Sequence, residues 1–156
     1  MSSKQIQTAI MSGLGGAIGI FLLAVLTERG GTLLLMAPFG ASCVLLFSVP
    51  NSPLSQPVNV VGGHLVSSAI GVVLVLLVPP SSLALGAGVA LAIAFMALLR
   101  VTHPPAGADP IVIILGAKGL SFLLFPVLTG SVSLVLIACL YHRFLGTARY
   151  PFSEQN

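Results

Sequence analysis

Four stretches of this chain, Ile6 to Leu26, Val58 to Val78, Leu83 to Leu99 and Leu120 to Leu140, run for 17 to 21 residues without one Lys, Arg, Asp or Glu. A helix of about 20 apolar residues spans the hydrocarbon of a bilayer, so these windows predict four membrane crossings. The remaining residues could not clothe a water-soluble core: 56% of the chain is apolar and 6% charged, where soluble domains are roughly one-quarter charged. The expected fold class is therefore all-α, a polytopic transmembrane helical bundle in a single membrane domain over residues 1–156, ending in a polar C-terminal tail at 146–156. Six scattered basic residues make no phosphate-tracking patch, so no nucleic-acid partner is expected. The first apolar run is longer than the core of a cleavable export signal and reads as a span. Cys43 and Cys139 sit inside apolar runs, where a free thiol behaves as a small hydrophobe.

Two further apolar stretches are interrupted. Thr32 to Val49 carries Pro38-Phe39-Gly40 at its centre, and Val101 to Ala117 has three prolines and two glycines. Neither can be one smooth helix. Broken backbone survives in hydrocarbon only where protein buries it or a watery cavity meets it, so both segments are expected to line the interior as broken or re-entrant pieces. Small residues at four-residue spacings, Gly15 with Gly19 and Gly86 with Ala90, suit close helix packing, as does Gly62.

The chain also matches itself. Pro38-Phe39-Gly40-Ala41-Ser42 corresponds to Pro105-Ala106-Gly107-Ala108-Asp109 at an offset of 67, and Gly63 to Gly130 at the same offset. This predicts an internal two-fold repeat with halves 6–78 and 83–145. If both interrupted segments cross, there are six spans and inverted halves, with Lys4, Arg100, Arg143 and Arg149 on the cytoplasmic side against Arg29 and Lys118 outside, as the positive-inside rule favours. If both are re-entrant, four spans and parallel halves result. The charge count favours six.

Ser42 and Asp109 each precede an apolar run and are suited to cap a half-helix, Asp109 with Pro110 at the first helical position. Two helix N-termini meeting near the bilayer midplane would offer free amides and partial positive charge to a small anion. The expected substrate or ion pathway is Pro38, Gly40, Ser42, His64, Arg100, His103, Pro104, Pro105, Gly107 and Asp109. Arg100 lies near enough in sequence to neutralise Asp109, and a cap paired with Arg100 is the structural alternative to a transport role. His103 titrates near neutrality and suits a proton relay or a substrate contact, unless it only fixes the turn. His64, within a span, should face the interior. His142 beside Tyr141 and Arg143 marks an interface.

Enzyme chemistry finds little support. There is no metal-ligand spacing, no carboxylate pair, no Gly-x-Ser-x-Gly around Ser42 and no Walker loop. No enzyme activity and no cofactor are expected.

The run His103-Pro104-Pro105-Ala106-Gly107-Ala108-Asp109-Pro110, with Ala37 to Ser42 and the stretch from Gln56-Pro57 to Gly63-His64, resembles the HPP family of integral membrane proteins over most of residues 10–145. The resemblance implies about four membrane spans and transport of nitrite. Proton and nitrite moving together, with Asp109 or His103 as proton carrier, would reconcile an anionic substrate with an acidic site. The alternatives from the residues are a non-transporting assembly or scaffold subunit and a cation channel using Asp109. A lipid bilayer, a small inorganic anion, protons and further copies in a homo-oligomer are the expected partners. Only five residues precede the first span, too few for a plastid transit peptide, so a bacterial or cyanobacterial inner membrane is the expected location.

Overall fold

The computed structural model describes residues 2–145 and 148–152. It is all-helical among the described residues, in the order α1 (Ser3–Gly30), α2 (Pro38–Ser48), α3 (Pro57–Leu77), α4 (Ser82–Leu98), α5 (Asp109–Leu115) and α6 (Thr129–Leu145). By length and composition Ser3–Gly30, Pro57–Leu77 and Leu123–Leu145 can each cross a bilayer. At 17 residues, α4 rises about 25 Å, the short end of the spanning range.

Local chemistry sets the boundaries. Ser2 and Gln5 form a reciprocal capping box at the start of α1, and Gly31 ends the helix at φ 63°, a left-handed position that suits glycine. Ser81 caps α4 through the Ala84 amide. The window expected as a smooth last span is kinked: Leu123–Leu128 form a π-type turn with Phe125 out of helical geometry, because Pro126 has no amide to donate and its ring crowds the preceding turn.

Contacts across the bundle give the path of the chain. One end gathers residues from five segments: the Ser12 hydroxyl donates to the Phe47 carbonyl at 2.9 Å, Tyr141 to the Met11 carbonyl at 2.6 Å, and the Asn59 amide to the Thr102 carbonyl at 3.0 Å. Towards the other end, the Leu34 amide donates to Thr27 at 3.0 Å, and Gly88 packs on Leu74, Pro110 and Ile114. From these contacts each interrupted stretch travels most of the bundle's length. Residues 31–37 return along α1 as irregular chain before α2 continues in the same direction. Residues 104–108 form a 3-10 turn before α5. The order α1, 31–48, α3 thus runs opposite in sense to α4, 101–115, α6.

The core joins α1, α2, α3, α5 and α6 through Leu23, Phe39, Leu46, Val60, Ile113 and Leu134. Gly15 and Gly19 let α1 approach Phe47 and Leu134. Within the expected polar tail, Tyr150 is buried and donates to the Ser55 carbonyl at 2.9 Å. Burial pushes its phenol above the ordinary tyrosine range, so it stays a donor. Residues 146–147 and 153–156 of that tail lie outside the described residues.

Candidate functional site

The interior face of α3 positions the site. Its buried residues are Val60, Gly63, His64, Ser67, Ser68, Gly71 and Val72, a stripe at helical period made of small and polar side chains in an otherwise apolar helix. The glycines let the second interrupted segment come close. A methyl group at Gly63 would lie 2.7 Å from His103 Cβ and 2.9 Å from the Val101 carbonyl oxygen, and one at Gly71 would lie 3.0 Å from Pro110 Cα. His103 is extended at φ −135°, as a residue before proline must be.

Between these elements runs a chain of polar side chains, all fully buried. His64 Nδ1 lies 2.8 Å from Asp109 Oδ2, and its Nε2 lies 2.9 Å from Ser42 Oγ. Ser42 Oγ lies 2.8 Å from His103 Nε2, and His103 Nδ1 lies 2.8 Å from the Leu54 carbonyl. Ser68 donates to Asp109 Oδ2 at 3.1 Å, and Ser67 to the Ala106 carbonyl at 2.6 Å. Phe39 meets the His64 ring edge-on at 5.1 Å between centroids. Asp109 Oδ1 is the one buried side-chain polar atom without a hydrogen-bond partner among the described residues.

One acceptor sets the direction of the bonds. The Leu54 carbonyl can only accept, so His103 Nδ1 carries a proton. A neutral His103 then accepts at Nε2 from the Ser42 hydroxyl, and Ser42 accepts from His64 Nε2–H. A single proton remains for the bond between His64 Nδ1 and Asp109 Oδ2. Either side of that bond can hold it, and the pair as a whole is uncharged in both cases.

Of the residues expected in the pathway, Ser42, His64, His103 and Asp109 come together, with Pro38 and Pro105 buried beside them. Gly40, Pro104 and Arg100 are exposed, and Gly107 is half-buried. Three local expectations are corrected. Asp109 does not cap its helix: it is the first residue of α5 and its carboxylate turns to α3. Ser42 does not cap either, because α2 begins at Pro38, which tolerates the first helical position. Arg100 does not pair with Asp109; the one ion pair among the described residues is His64 with Asp109, 45 positions apart. His142, expected at an interface, is buried and donates to the Leu46 carbonyl at 2.9 Å.

The amides expected to face a solute are engaged at the start of α2, where Phe39 donates to Met36 and Gly40 to Ala37. The inward groups are side chains instead. Ser67, Ser68 and the Leu54 carbonyl lie outside the pathway expected from sequence, although the recurrence of Gly63, His64, Ser67, Ser68 and Gly71 on one face of an apolar helix is a usable signal.

Ser42, His64 and Asp109 are linked in the order of a nucleophile, base and acid. The Ser42 oxygen is fully buried, and His103 occupies its other side. No group of three or more His, Cys, Asp or Glu suited to a metal ion occurs among the described residues.

A helical bundle with membrane-length apolar helices around a buried polar chain defines a multi-pass membrane protein. The chain belongs to the HPP family, matching the model of its transmembrane region over residues 1–151. It is similar to two transmembrane proteins of Dictyostelium discoideum. One is 36% identical over 152 residues, covering 90% of this chain and 49% of that protein; the other is 33% identical over 145 residues, covering 85% and 51%. The chain thus spans about half the length of these curated relatives. No solved structure matches it.

Proposed function

We propose that this protein is a proton-coupled transporter of a small anion, nitrite foremost, and that the Ser42, His64, His103 and Asp109 chain is its proton-carrying centre. One observation carries the reading: ionisable side chains are buried in a membrane bundle with one carboxylate oxygen, Asp109 Oδ1, left without a partner. Burying a polar atom unpaired costs about 1–3 kcal/mol, a penalty that packing alone does not require. An oxygen that receives a proton or a water during a transport cycle accounts for it. Nitrite as substrate rests on the family resemblance, and an anion moving with a proton presents no net charge to the bilayer.

The inverted sense of the halves supports an alternating mechanism. Gly63 faces the Val101 carbonyl and Gly130 faces the Leu34 carbonyl, contacts that exchange under the same 67-residue offset. In this reading the end bearing Lys4, Arg100, Arg143 and Arg149 faces the cytoplasm of a bacterial or cyanobacterial cell, and the protein works as a homo-oligomer.

A second reading, a scaffold subunit whose polar chain only fastens helices, is favoured by the closure of the site. Three grooves lie along α1, α2 and α6, and His64, His103 and Asp109 line none of these three. Uptake into liposomes containing the purified protein separates the two. Nitrite uptake that rises with an inward proton gradient and is lost in Asp109→Asn is expected; gradient-insensitive uptake by both proteins rejects coupling, and no uptake by the native protein favours the scaffold.

A further inference from the structure

Ser42 stands between two imidazoles. Its oxygen is 2.9 Å from His64 Nε2 and 2.8 Å from His103 Nε2, while its contact with the Pro38 carbonyl, one turn back, is longer at 3.4 Å. A hydroxyl has one hydrogen and can donate to only one ring while accepting from the other. We propose that Ser42 is the two-way switch of a one-proton wire from Asp109 through His64 to His103, and that the orientation of its hydroxyl records where the proton is. This rests on the proton-coupled reading above.

The transfer balances. In the first state Asp109 Oδ2 carries the proton, His64 is protonated at Nε2 alone, Ser42 donates to His103, and His103 is protonated at Nδ1 alone. Asp109 passes its proton to His64 Nδ1; His64 Nε2 passes its own to Ser42 Oγ; the original Ser42 hydrogen goes to His103 Nε2. In the second state Asp109 is a carboxylate, His64 carries hydrogen at Nδ1 and accepts from Ser42 at Nε2, and His103 is an imidazolium. One proton has moved from acid to base, and no bond between heavy atoms has changed. Asp109 Oδ1, buried and without a partner, marks the donor end of the wire, and His103, held at Nδ1 by the Leu54 carbonyl, is the end where the proton comes to rest.

The wire draws Ser42 and Phe39 from α2, His64 and Ser68 from α3, the Leu54 carbonyl from the 50–56 loop, and Asp109 from α5. No ion pair with Lys or Arg reaches it among the described residues. The donor end lies beside Ser68 and the His103 end beside Gly63, so the wire climbs about five residues of α3, ~7.5 Å.

The test uses the full chain in lipid bilayers with nitrogen-15 histidine. Wild type should present His103 at high pH with hydrogen at Nδ1 and a bare Nε2, and the His64 and His103 rings should change through one shared transition. Ser42→Ala should split it into two independent ones, and Ser42→Thr, which keeps the hydroxyl, should restore it. In liposomes, accumulation of nitrite driven by a proton gradient should fall on the order of 100-fold in Ser42→Ala relative to Ser42→Thr. Independent titration of the two rings in wild type, or an unaltered shared transition in Ser42→Ala, overturns the wire. The wild-type tautomer and titration decide the matter even if Ser42→Ala fails to fold. Because the ring measurements need no nitrite, absent uptake would remove the transport reading while the spectra still judge the wire.

Discussion

The two interrupted segments carry the same Pro-x-Gly-Ala motif and fold differently. After Pro38 the chain becomes α-helical at once, and Ser42 lies in the second turn of α2 with its side chain inward. After Pro104 and Pro105 it stays in a 3-10 turn as far as Ala108, and helix resumes only at Asp109 and Pro110. The additional prolines, which supply no amide hydrogen, are the cause. Yet the matched residues Ser42 and Asp109 end in equivalent roles, one on each ring nitrogen of His64. Motif position decides which residue turns inward, and local backbone decides only how it gets there. The same 67-residue offset brings different residues elsewhere: from His64 it leads to Ser131, which donates to the Leu128 carbonyl on its own segment at 3.1 Å, and from His103 it leads back to Met36.

The largest test of that contrast is to remove the hub. His64→Ala leaves the Asp109 carboxyl group buried with Ser68 as its remaining partner, and breaking one side of such a buried pair costs about 3–5 kcal/mol. Ser131→Ala, at the matched position, loses one bond worth about 1 kcal/mol. Unfolding midpoints of the two variants in the same detergent should differ widely; equal losses would mean His64 is no hub.

Next come the glycines that admit the interrupted segments. Gly63→Val and Gly130→Val place methyls against the Val101 and Leu34 carbonyls, which are backbone and cannot rotate away. Each should lose about 1–3 kcal/mol. Gly40→Ala and Gly107→Ala, with nothing within 4 Å, should stay within about 0.5 kcal/mol in thermal melts. If a motif glycine proves as sensitive as Gly63, the close approach lies in the motif and not in the partner helix.

Tyr150 ties down the loop that follows the first segment, and no matching clip holds the second among the described residues. Tyr150→Phe should lower stability by about 1 kcal/mol. Its folded phenol is raised above the unfolded value, so this contribution is full below an unfolded tyrosine's pKa of about 10 and fades as pH rises past it. Melts of wild type and Tyr150→Phe should therefore converge at alkaline pH; a constant gap would place the effect in packing.

Much of this was legible in the residues. Apolar windows named the long helices, and the prolines and glycines named where they break. Ser42, His64, His103 and Asp109 were singled out because ionisable or polar groups in apolar surroundings are costly unless they face inward. What could not be read was pairing. Sequence proximity pairs Asp109 with Arg100, nine positions away, whereas its partner His64 is 45 positions away. Helix α3 delivers it through Gly63 and Gly71, and such long-range register depends on how closely two backbones can pack. The kink at Phe125 went unread for a different reason: Pro126 sits in an apolar window, and hydropathy is blind to a missing amide.

The smallest expected effect bears on the partner of Asp109. Arg100 follows α4, exposed and left-handed at φ 58°. Arg100→Ala keeps the same backbone constraint, since alanine is no freer there than arginine, and removes only an exposed charge. It should shift the melting midpoint by the equivalent of less than about 0.5 kcal/mol and, under the proposed transport of nitrite, leave its apparent affinity unchanged. If Arg100→Ala instead costs as much as His64→Ala, the arginine reaches the carboxylate in the membrane and α3 does not hold the second segment alone. Loss of nitrite affinity without loss of stability would place Arg100 on the solute's route, and the asymmetry between the two segments would then lie in substrate capture as well as in backbone form.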